Sequence, residues 1–420
     1  MQREDLVFAG ICDWAGLVRG KAFPVAETNA RLKRGVGLTH SNIMMSCFGP
    51  IMTTPFGTTG DLVIRPDPAA HVAVPFDDGT AERFYLGDIQ NTDGSAWECC
   101  PRDFLKRAIA ALAGFGLGLH ASFEQEFVYT GIEERPGATY ALDAFRRQAL
   151  FGEALTGALS AAGFGPDSFL PEYGPRQFEV TIAPEPALRA ADRAVIVREL
   201  VRGVAWRLGH RAILAPMPAA GGIGNGTHIH MSLWEGEAPI MHDPAEPYGI
   251  SARAAPFFAG VLAHMPAIAA FSTPSVASYF RLTPNRWAPV NANLAVQDRG
   301  AALRVAPVFG TAEESAAQQF NIEFRVADAA SCPYLALGAL IQAGVDGLTR
   351  RLALPPPEAQ APLLPRSLKE ALAALGADKV AAGWWSPVAM RAYLSFKEAE
   401  IASLANLSES AICARYAEVY

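Results

Sequence analysis

The chain has 420 residues, of which 50% are hydrophobic and 18% are charged, and its formal net charge is −7. At this length, such a composition predicts a soluble globular protein with a large core and two domains. The acidic balance argues against nucleic acid as a partner, because nucleic acids bind to basic surfaces. Small phosphate ligands remain compatible with it, since a few local arginines can hold them.

The first residues and the spacing of the cysteines indicate in which cell compartment the protein works. Residues 1–5 lack the apolar core of a signal peptide, and no apolar run reaches the roughly 18 residues that a membrane span needs. The cysteines form no C-x-x-C pair, which argues against a zinc ribbon or a thioredoxin-like site. We therefore expect a cytoplasmic protein with reduced thiols and no membrane partner.

The first 98 residues contain short apolar runs that Gly and Pro interrupt, and they lack helical periodicity. This pattern predicts a small β-rich domain. The runs lie at 6–12, 61–64 and 71–75.

Helical patterns begin at Pro101, where apolar residues follow helical spacing as far as Gly114. We therefore place a domain boundary near residue 98, which divides the chain into 1–98 and 99–420. Ser367 is a predicted N-cap for a later helix that Gly376 ends. Helices are predicted at 188–208, 255–271, 333–350 and 368–375, and from about 387 onwards.

Four short segments of the second predicted domain carry polar side chains on alternate residues. In a β-strand these side chains share one face, and apolar residues occupy the other. If the four strands share a sheet, several carboxylates and two imidazoles crowd one cavity. Two carboxylates about 4 Å apart repel by about 4 kcal/mol at an effective dielectric constant near 20, so the cluster needs protons or divalent cations. The segments are 124–126, 177–179, 228–230 and 323–325.

Carboxylate oxygens are hard ligands that favour Mg²⁺ or Mn²⁺, and Mn²⁺ tolerates a neighbouring imidazole better than Ca²⁺ does. Taken alone, Glu124 and Glu126 also fit a solvated strand face, and His228 and His230 fit an ordinary hydrogen-bonded pair. The recurrence of the pattern in four segments favours a metal site. A zinc hydrolase of the His-x-His kind is an alternative, although the other histidines show no ligand spacing.

Four of the arginines in the segment 281–325 are further candidates, because Arg forms bidentate bonds to carboxylate and phosphate. Together with a metal cluster they indicate metal-bound nucleotide phosphates, an anionic substrate and phosphoryl transfer. The glycine-rich segment 220–226 lacks the Gly-Lys-Ser/Thr of a P-loop, but its N–H groups could hold a carboxylate or phosphate. The arginines are Arg281, Arg299, Arg304 and Arg325.

Taken together, these segments resemble the glutamine synthetase family over nearly the whole chain. The order and the spacing of the matching stretches make the resemblance specific, although no single stretch would suffice. The stretches are 16–21 (GLVRGK), 122–127 (SFEQEF), 171–179 (PEYGPRQFE), 226–233 (GTHIHMSL), 278–282 (SYFRL), 298–304, 322–325 (IEFR) and 333–335 (PYL).

The resemblance implies an α+β fold, with a small N-terminal β-grasp domain followed by a catalytic α/β domain that has a curved antiparallel sheet. It also implies a ring-shaped homo-oligomer, dodecameric or similar, with active sites shared between neighbouring subunits. ATP would phosphorylate the γ-carboxylate of glutamate, and an amine would then displace phosphate to form an amide. Two or more Mg²⁺ or Mn²⁺ ions per site would neutralise the meeting charges.

The resemblance also assigns roles to residues by position. Glu126, Glu172 and Glu179 would hold one cation, and Glu124, His228 and Glu323 the second. His230 and Ser232 would lie near ATP, and Arg299 and Arg304 would contact phosphates or the acyl phosphate. Arg281, Arg325 and the backbone of Gly224 would hold the carboxylates of the amino acid. The resemblance thus places Arg299, Arg304, Glu323 and Glu172 in the catalytic machinery.

Several positions depart from the family pattern. Trp287 occupies the position at which the family has an acidic residue that closes over the ammonium site. The family's loop with an ammonium-binding Asp is not recognisable near 39–42. Ile223 and Asn321 replace an Asn and an Arg, and Met217 replaces a Lys. The metal and phosphate machinery is thus retained while the ammonium machinery is replaced, as in the γ-glutamylamide synthetases. We expect an amine with an apolar or extended group, with Trp287 lining its pocket.

Other interpretations remain. Glutamine synthetase using ammonia is the nearest alternative, and the changes at Ile223 and Asn321 also allow a different acid substrate. A non-catalytic structural or regulatory relative is a third, but all six family metal ligands are retained. Trp287 could also simply pack against a neighbouring loop. The sequence does not name the amine, and it leaves His40 and Glu172 as candidate bases.

Overall fold

We describe a computed structural model in which residues 3–51, 55–57, 59–284, 286–310 and 313–420 are defined. Its first part is a five-stranded sheet in the order β2-β1-β5-β4-β3. The central neighbours β1 and β5 run parallel, and the other pairs are antiparallel, as in a β-grasp. The strands are β1 (Leu6–Cys12), β2 (Val18–Pro24), β3 (Val36–Thr39), β4 (Asp61–Pro75) and β5 (Ala81–Asn91), and helix α1 (Thr28–Arg34) joins β2 to β3.

The two apolar runs predicted at 61–64 and 71–75 belong to the single strand β4. Its pairing with β5 shifts register between Pro66 and His71. Proline lacks the N–H that a ladder hydrogen bond needs, so Pro66 and Pro68 make one irregular strand resemble two short ones in sequence.

The rest of the chain alternates helices and strands. The helices are α2 (Pro101–Ala113), α3 (Leu142–Arg147), α4 (Ala149–Ala161), α5 (Ala187–Arg207), α6 (Ala255–Ala263), α7 (Met265–Ser272), α8 (Ser278–Arg281), α9 (Glu313–Gln319), α10 (Pro333–Arg350), α11 (Leu368–Ala377), α12 (Pro387–Leu404) and α13 (Glu409–Val419). The strands are β6 (Gly118–Phe123), β7 (Gln125–Tyr129), β8 (Pro166–Pro171), β9 (Gln177–Ile182), β10 (Glu185–Pro186), β11 (Ala212–Ile213), β12 (Ile229–Glu235), β13 (Ala238–Pro239), β14 (Leu294–Val296), β15 (Leu303–Val305) and β16 (Ile322–Phe324). Short 3-10 turns lie at Val25–Glu27, His40–Asn42, Pro247–Gly249 and Ala381–Gly383.

The four polar segments do not share one sheet, so the condition under which we expected them to meet in one cavity is not fulfilled. Strands β6, β12 and β16 are neighbours in a seven-stranded sheet, whereas β7 and β9 lie in a four-stranded sheet of order β11-β7-β9-β8. The chain leaves the first sheet at Phe123 and enters the second at Gln125, so Glu124 stands between them. The Glu124 N–H donates to the His228 carbonyl (3.0 Å), which continues the pairing of β6 with β12 as far as this junction.

The apolar faces predicted for the four segments are buried, as expected. Burying these side chains fixes which face each strand turns toward the cavity, because a slip of one residue would exchange the faces. The buried residues are Phe123, Gln125, Phe127, Phe178, Val180, Ile182, Ile229, Met231, Leu233, Ile322, Phe324 and Val326.

The long helices predicted from periodicity are present as α2, α5, α10 and α12. The helix predicted at 255–271 is instead two helices, α6 and α7, bent by 75°. The break follows from Pro266, which cannot donate to the carbonyl four residues earlier and clashes with it. Ser367 caps α11 by accepting from the Glu370 N–H, but the helix continues past Gly376 to Ala377.

Helix α10 packs closely on α6 through facing glycines. A Cβ at Gly260 would lie 2.2 Å from the Ala343 carbonyl oxygen, and one at Gly347 would lie 2.0 Å from that of Pro256. Only glycine permits this approach of two backbones. No single helix in the described part of the chain is long and apolar enough to span a membrane; α6 and α7 meet that criterion only as a bent pair.

A buried charge network ties the N-terminal sheet to the helices. Arg102 of α2 is 2% exposed and pairs with Asp67 of β4 (2.7 Å), Asp88 of β5 (3.1 Å) and Asp192 of α5 (2.9 Å). Burial opposes the charge of Arg102, but Asp192 outweighs it and raises the pKa of the guanidinium. The domain boundary near residue 98 stays a prediction.

Candidate metal and substrate site

A cavity of about 490 Å³ lies where strands of the two sheets meet. All six predicted metal ligands line it, although they are spread over 200 residues of chain between Glu124 and Glu323. The predicted substrate and phosphate residues line it as well. These are Gly224, Arg281, Trp287, Arg299, Arg304 and Arg325.

Glu124 lies at the centre of the acidic cluster. Its two oxygens lie 2.7 Å from His228 Nδ1 and 2.9 Å from His230 Nε2. Burial alone would raise the pKa of Glu124, but the imidazoles of His230 and His228 outweigh it and hold that pKa well below its usual value. Burial would lower the pKa of His230, but the Glu124 carboxylate outweighs it and raises this pKa to about 9.

Glu179 and Glu172 face the same cavity from the four-stranded sheet and the loop before it. Among the described residues, Glu179 finds no hydrogen-bond donor and no ion pair, although it is 7% exposed. Burial and repulsion from Glu124 and Glu126 raise its pKa well above the usual value. Burial and Glu126 also raise the pKa of Glu172, which accepts from the Tyr140 hydroxyl (3.2 Å). Buried carboxylates without donors are groups that a cation would stabilise.

The side chains fit two divalent cations by donor type and spacing. Ligand atoms of Glu124, Glu179 and His228 lie within 4.8 Å of one another, and so do those of Glu124, His230 and Glu323. Together the two groups offer three carboxylates and two imidazoles, and carboxylate oxygens are the ligands that Mg²⁺ and Mn²⁺ prefer. These two groups divide the ligands differently from the sets implied by the resemblance, since Glu124 belongs to both.

Arginines surround the Glu323 side of the cavity. Glu323 is 1% exposed and lies 2.6 Å from Arg304 Nη1, and its other oxygen pairs with Arg325. Burial would raise the pKa of Glu323, but His228 and Arg325 outweigh it and lower that pKa. The Nε atom of Arg304 is buried and has no partner in the described part of the chain. Such an N–H beside a cavity fits an anionic ligand.

The glycine loop at 220–226 packs directly on Arg281. A Cβ at Gly224 would lie 2.6 Å from Arg281 Cγ, so this position requires glycine. The Nη2 of Arg281 donates to the carbonyls of Val326 and Ala327 (2.9 Å for the latter). Burial lowers the pKa of Arg281, and its Nε has no partner among the described residues. Backbone carbonyls therefore fix this guanidinium at the edge of the cavity.

Aromatic rings line the opposite part of the cavity. Trp287 stacks on Tyr173 with ring centroids 6.0 Å apart and planes at 15°, and Tyr140 meets Tyr173 edge-on at 5.8 Å. Sequence reasoning assigned no role to either tyrosine. Tyr173 directly follows Glu172 in a matching stretch, which was a usable signal, whereas Tyr140 lies in a region without any motif.

Three predicted residues do not line the cavity. His230 lies beside the cluster, with Nδ1 2.8 Å from the Asn321 side-chain oxygen, and Ser232 accepts from the Trp234 indole N–H (2.8 Å). Their roles near ATP stay predictions. His40 stacks on Phe56 with centroids 4.8 Å apart, so within one chain it lies outside the described lining.

Comparisons with known proteins agree with this geometry. Residues 1–97 match the family model "Glutamine synthetase N-terminal domain", and residues 98–416 match "Glutamine synthetase, catalytic domain". A γ-glutamylpolyamine synthetase, GlnA3 of Streptomyces coelicolor, is 33% identical over 96% of this chain and 91% of its own length. The glutamine synthetase of Thermotoga maritima is 29% identical over 76% of this chain and 77% of that protein.

Solved structures resemble the whole chain. A crystal structure of a "novel glutamine synthase homolog" has a TM-score of 0.94 and 39% identity, and covers 100% of this chain and 99% of its own. A structure described as "Apo GmaS without ligand" has a TM-score of 0.83 and 26% identity, with coverage of 96% and 94%. With both family models matched across almost all of its residues, the chain belongs to the glutamine synthetase family.

Proposed function

We propose that this protein is an ATP-dependent carbon–nitrogen ligase that joins the γ-carboxylate of glutamate to a primary organic amine. The observation that carries the proposal is one cavity lined by six potential metal ligands, five arginines and an aromatic surface. A carboxylate and a triphosphate repel each other, and they must come together before a phosphoryl group is transferred. Such a cavity can neutralise both charges.

The acidic cluster would hold two or more Mg²⁺ or Mn²⁺ ions. Glu179 supports this role because it is a buried carboxylate that lacks a donor among the described residues. Bound cations would neutralise phosphate oxygens and orient the transferred group. The proposed ligands are Glu124, Glu126, Glu172, Glu179, His228 and Glu323.

In the first proposed step, a γ-carboxylate oxygen of glutamate attacks the terminal phosphorus of ATP. The bond from that phosphorus to the bridging oxygen breaks, and ADP leaves with the electron pair. Arg299 and Arg304 stabilise the charge on the transferred phosphoryl oxygens. Arg281, Arg325 and the Gly224 backbone hold the amino acid, and their rigid supports limit its motion.

In the second step, the neutral nitrogen of the amine attacks the acyl carbon of γ-glutamyl phosphate. The carbon–oxygen bond to phosphate breaks, inorganic phosphate leaves, and the nitrogen loses one proton. We propose Glu172 as the base, because it lines the cavity and lies beside the tyrosines, whereas His40 does not line it within one chain.

The assembly and the location also belong to this proposal. We propose a ring-shaped cytoplasmic homo-oligomer with active sites shared between neighbours, and two domains at 1–98 and 99–420. His230 and Ser232, together with Arg304, would contact the nucleotide. Analytical ultracentrifugation of the purified chain tests the assembly, and a monomer that is fully active would contradict shared sites.

An activity assay tests the function. We expect release of phosphate from ATP that requires glutamate, a divalent cation and an organic amine, and we expect the amide product by mass spectrometry. Glu124→Gln should abolish release, while Glu153→Gln, which changes an exposed carboxylate on α4, should preserve it. Ammonium as the best acceptor would contradict the proposal and support glutamine synthetase.

A further inference from the structure

Three aromatic side chains, Tyr140, Tyr173 and Trp287, form what we call the aromatic wall of the cavity. They are 55%, 53% and 64% exposed, yet all three line the cavity that contains the acidic cluster. Large apolar side chains exposed together usually mark a binding surface. Tyr140 also reaches Glu172 through its hydroxyl (3.2 Å), so the wall begins next to the proposed base.

The backbone holds two of these rings in an uncommon conformation. Tyr140 has φ = 51° and Trp287 has φ = 54°, in the left-handed region that bulky residues rarely adopt. Neighbours support both: the Tyr140 N–H donates to the Pro171 carbonyl (3.1 Å), and Arg325 Nη2 lies 3.5 Å from the Trp287 carbonyl. Strain that the surroundings support at a cavity indicates that the ring positions serve a ligand.

The charges near the wall restrict the kind of ligand. In the described lining, the only carboxylates are those of the proposed metal ligands, and every other charged side chain is an arginine. Arg286 lies next to Trp287 in sequence and donates to the Gly222 carbonyl, and Arg299 lines the same cavity. Within one chain, a second ammonium group on the substrate would therefore meet guanidinium groups, and the carboxylate that contacts the wall, Glu172, is already used in the proposed reaction.

The binding free energy at the aromatic rings differs between a charged and an uncharged group. An ammonium group on an exposed ring gains a weak cation–π contact, and the nearby arginines oppose it. An uncharged aryl or alkyl group on the same rings gains more, because it removes apolar area from water on both sides.

We propose that the acceptor is a monoamine with an apolar aryl or alkyl body, which lies on the aromatic wall while its nitrogen faces the acyl carbon beside Glu172. Amines with a second ammonium group, and ammonium itself, are poorer acceptors. This inference rests on the proposed ligase function and specifies its substrate class.

The test compares two isosteric amines on the purified full-length protein. Hexylamine and 1,5-diaminopentane have chains of equal length and differ only in a terminal methyl or ammonium group. With glutamate, ATP and Mg²⁺ saturating, we expect kcat/KM for hexylamine to exceed that for the diamine by about tenfold or more, which corresponds to about 1.4 kcal/mol. Equal values, or a better diamine, would overturn the inference.

Variants test whether the wall is responsible. Trp287→Ala should lower kcat/KM for hexylamine by about tenfold and leave KM for glutamate and ATP within about twofold, because only the acceptor contacts the indole. Trp287→Phe should retain most of the activity. Trp206→Ala is the matched control, since Trp206 is 74% exposed on α5 and lies outside this cavity. Equal losses for hexylamine and ammonium in Trp287→Ala would contradict a role in amine selection.

Hydroxylamine separates this inference from the proposed function. It is a small nucleophile that converts an acyl phosphate into a hydroxamate without needing the aromatic wall. Hydroxamate that depends on glutamate and ATP, combined with a preference for the diamine, would refute the substrate class alone. Absence of hydroxamate under all conditions would refute the ligase function itself.

Discussion

Replacing Glu179 with Gln should stabilise the protein without metal and weaken its response to metal. The substitution keeps the shape of the side chain but removes a buried charge that has no donor among the described residues. The ligand atoms of Glu179 and Glu124 lie within 4.8 Å of each other. At an effective dielectric constant of about 20, two unit charges at 4.8 Å repel by about 3.5 kcal/mol.

The net gain is smaller than this repulsion, because two imidazoles already compensate much of the charge on Glu124. We expect Glu179→Gln to raise the free energy of unfolding in chelator by about 1–2 kcal/mol. With Mn²⁺ and ATP the wild type should be more stable than Glu179→Gln, because an amide oxygen is a weaker metal ligand than a carboxylate oxygen. Metal at about 100 times its dissociation constant stabilises the wild type by about 2.7 kcal/mol, and the variant should lose most of this.

Urea unfolding of wild type and variant, with EDTA and with Mn²⁺ plus ATP, measures both effects. Glu153→Gln removes an exposed charge elsewhere and should change neither curve. The reasoning is refuted if Glu179→Gln is less stable than wild type in EDTA, or if Mn²⁺ stabilises the two proteins equally.

Three further substitutions test individual contacts. Arg281→Lys should raise KM for glutamate about tenfold or more with KM for ATP unchanged, because a lysine cannot form the forked contacts; a change confined to ATP would contradict this role. Arg102→Leu should lower the free energy of unfolding by about 3–5 kcal/mol in urea, since it strands the buried carboxylate of Asp192, and a loss below about 1 kcal/mol would show that the network is unimportant. His264→Leu, which leaves Asp346 without its imidazole partner at 2.9 Å, should destabilise by about 2–4 kcal/mol and keep the activity of the folded enzyme; loss of activity at full stability would contradict a structural role.

Local signals in the sequence predict much of the fold. Helices α2 and α10 each begin with a proline in the first turn and continue with apolar residues at helical spacing, and both lie where expected. Strand alternation likewise predicts which side chains of β7 and β12 are buried, because a strand in a sheet has only two faces.

Other features depend on pairing between distant segments, which periodicity does not contain. Glu124 stands where the chain passes from one sheet to another, and nothing in its neighbours distinguishes this from a continuous strand. The stacking of Trp287 on Tyr173 joins segments more than 100 residues apart, so only the folded chain reveals the aromatic wall. The bend at Pro266 is different, since the proline rule was sufficient to predict it.

The sequence predicted part of the candidate site as well. The alternation of carboxylates and histidines indicated a metal cluster, and all of these residues except His230 line one cavity. The distribution of ligands between two ions is not fixed by that pattern, because it depends on where Glu124 turns its two oxygens.

Manganese binding measured by electron paramagnetic resonance, on chelator-treated protein with ADP present, tests the central claim most directly. We expect about two Mn²⁺ ions per chain, consistent with a cluster of carboxylates and one imidazole, and we expect Glu124→Gln to abolish binding of at least one of them. Failure to bind manganese, or a single tightly held zinc ion in its place, would contradict the account.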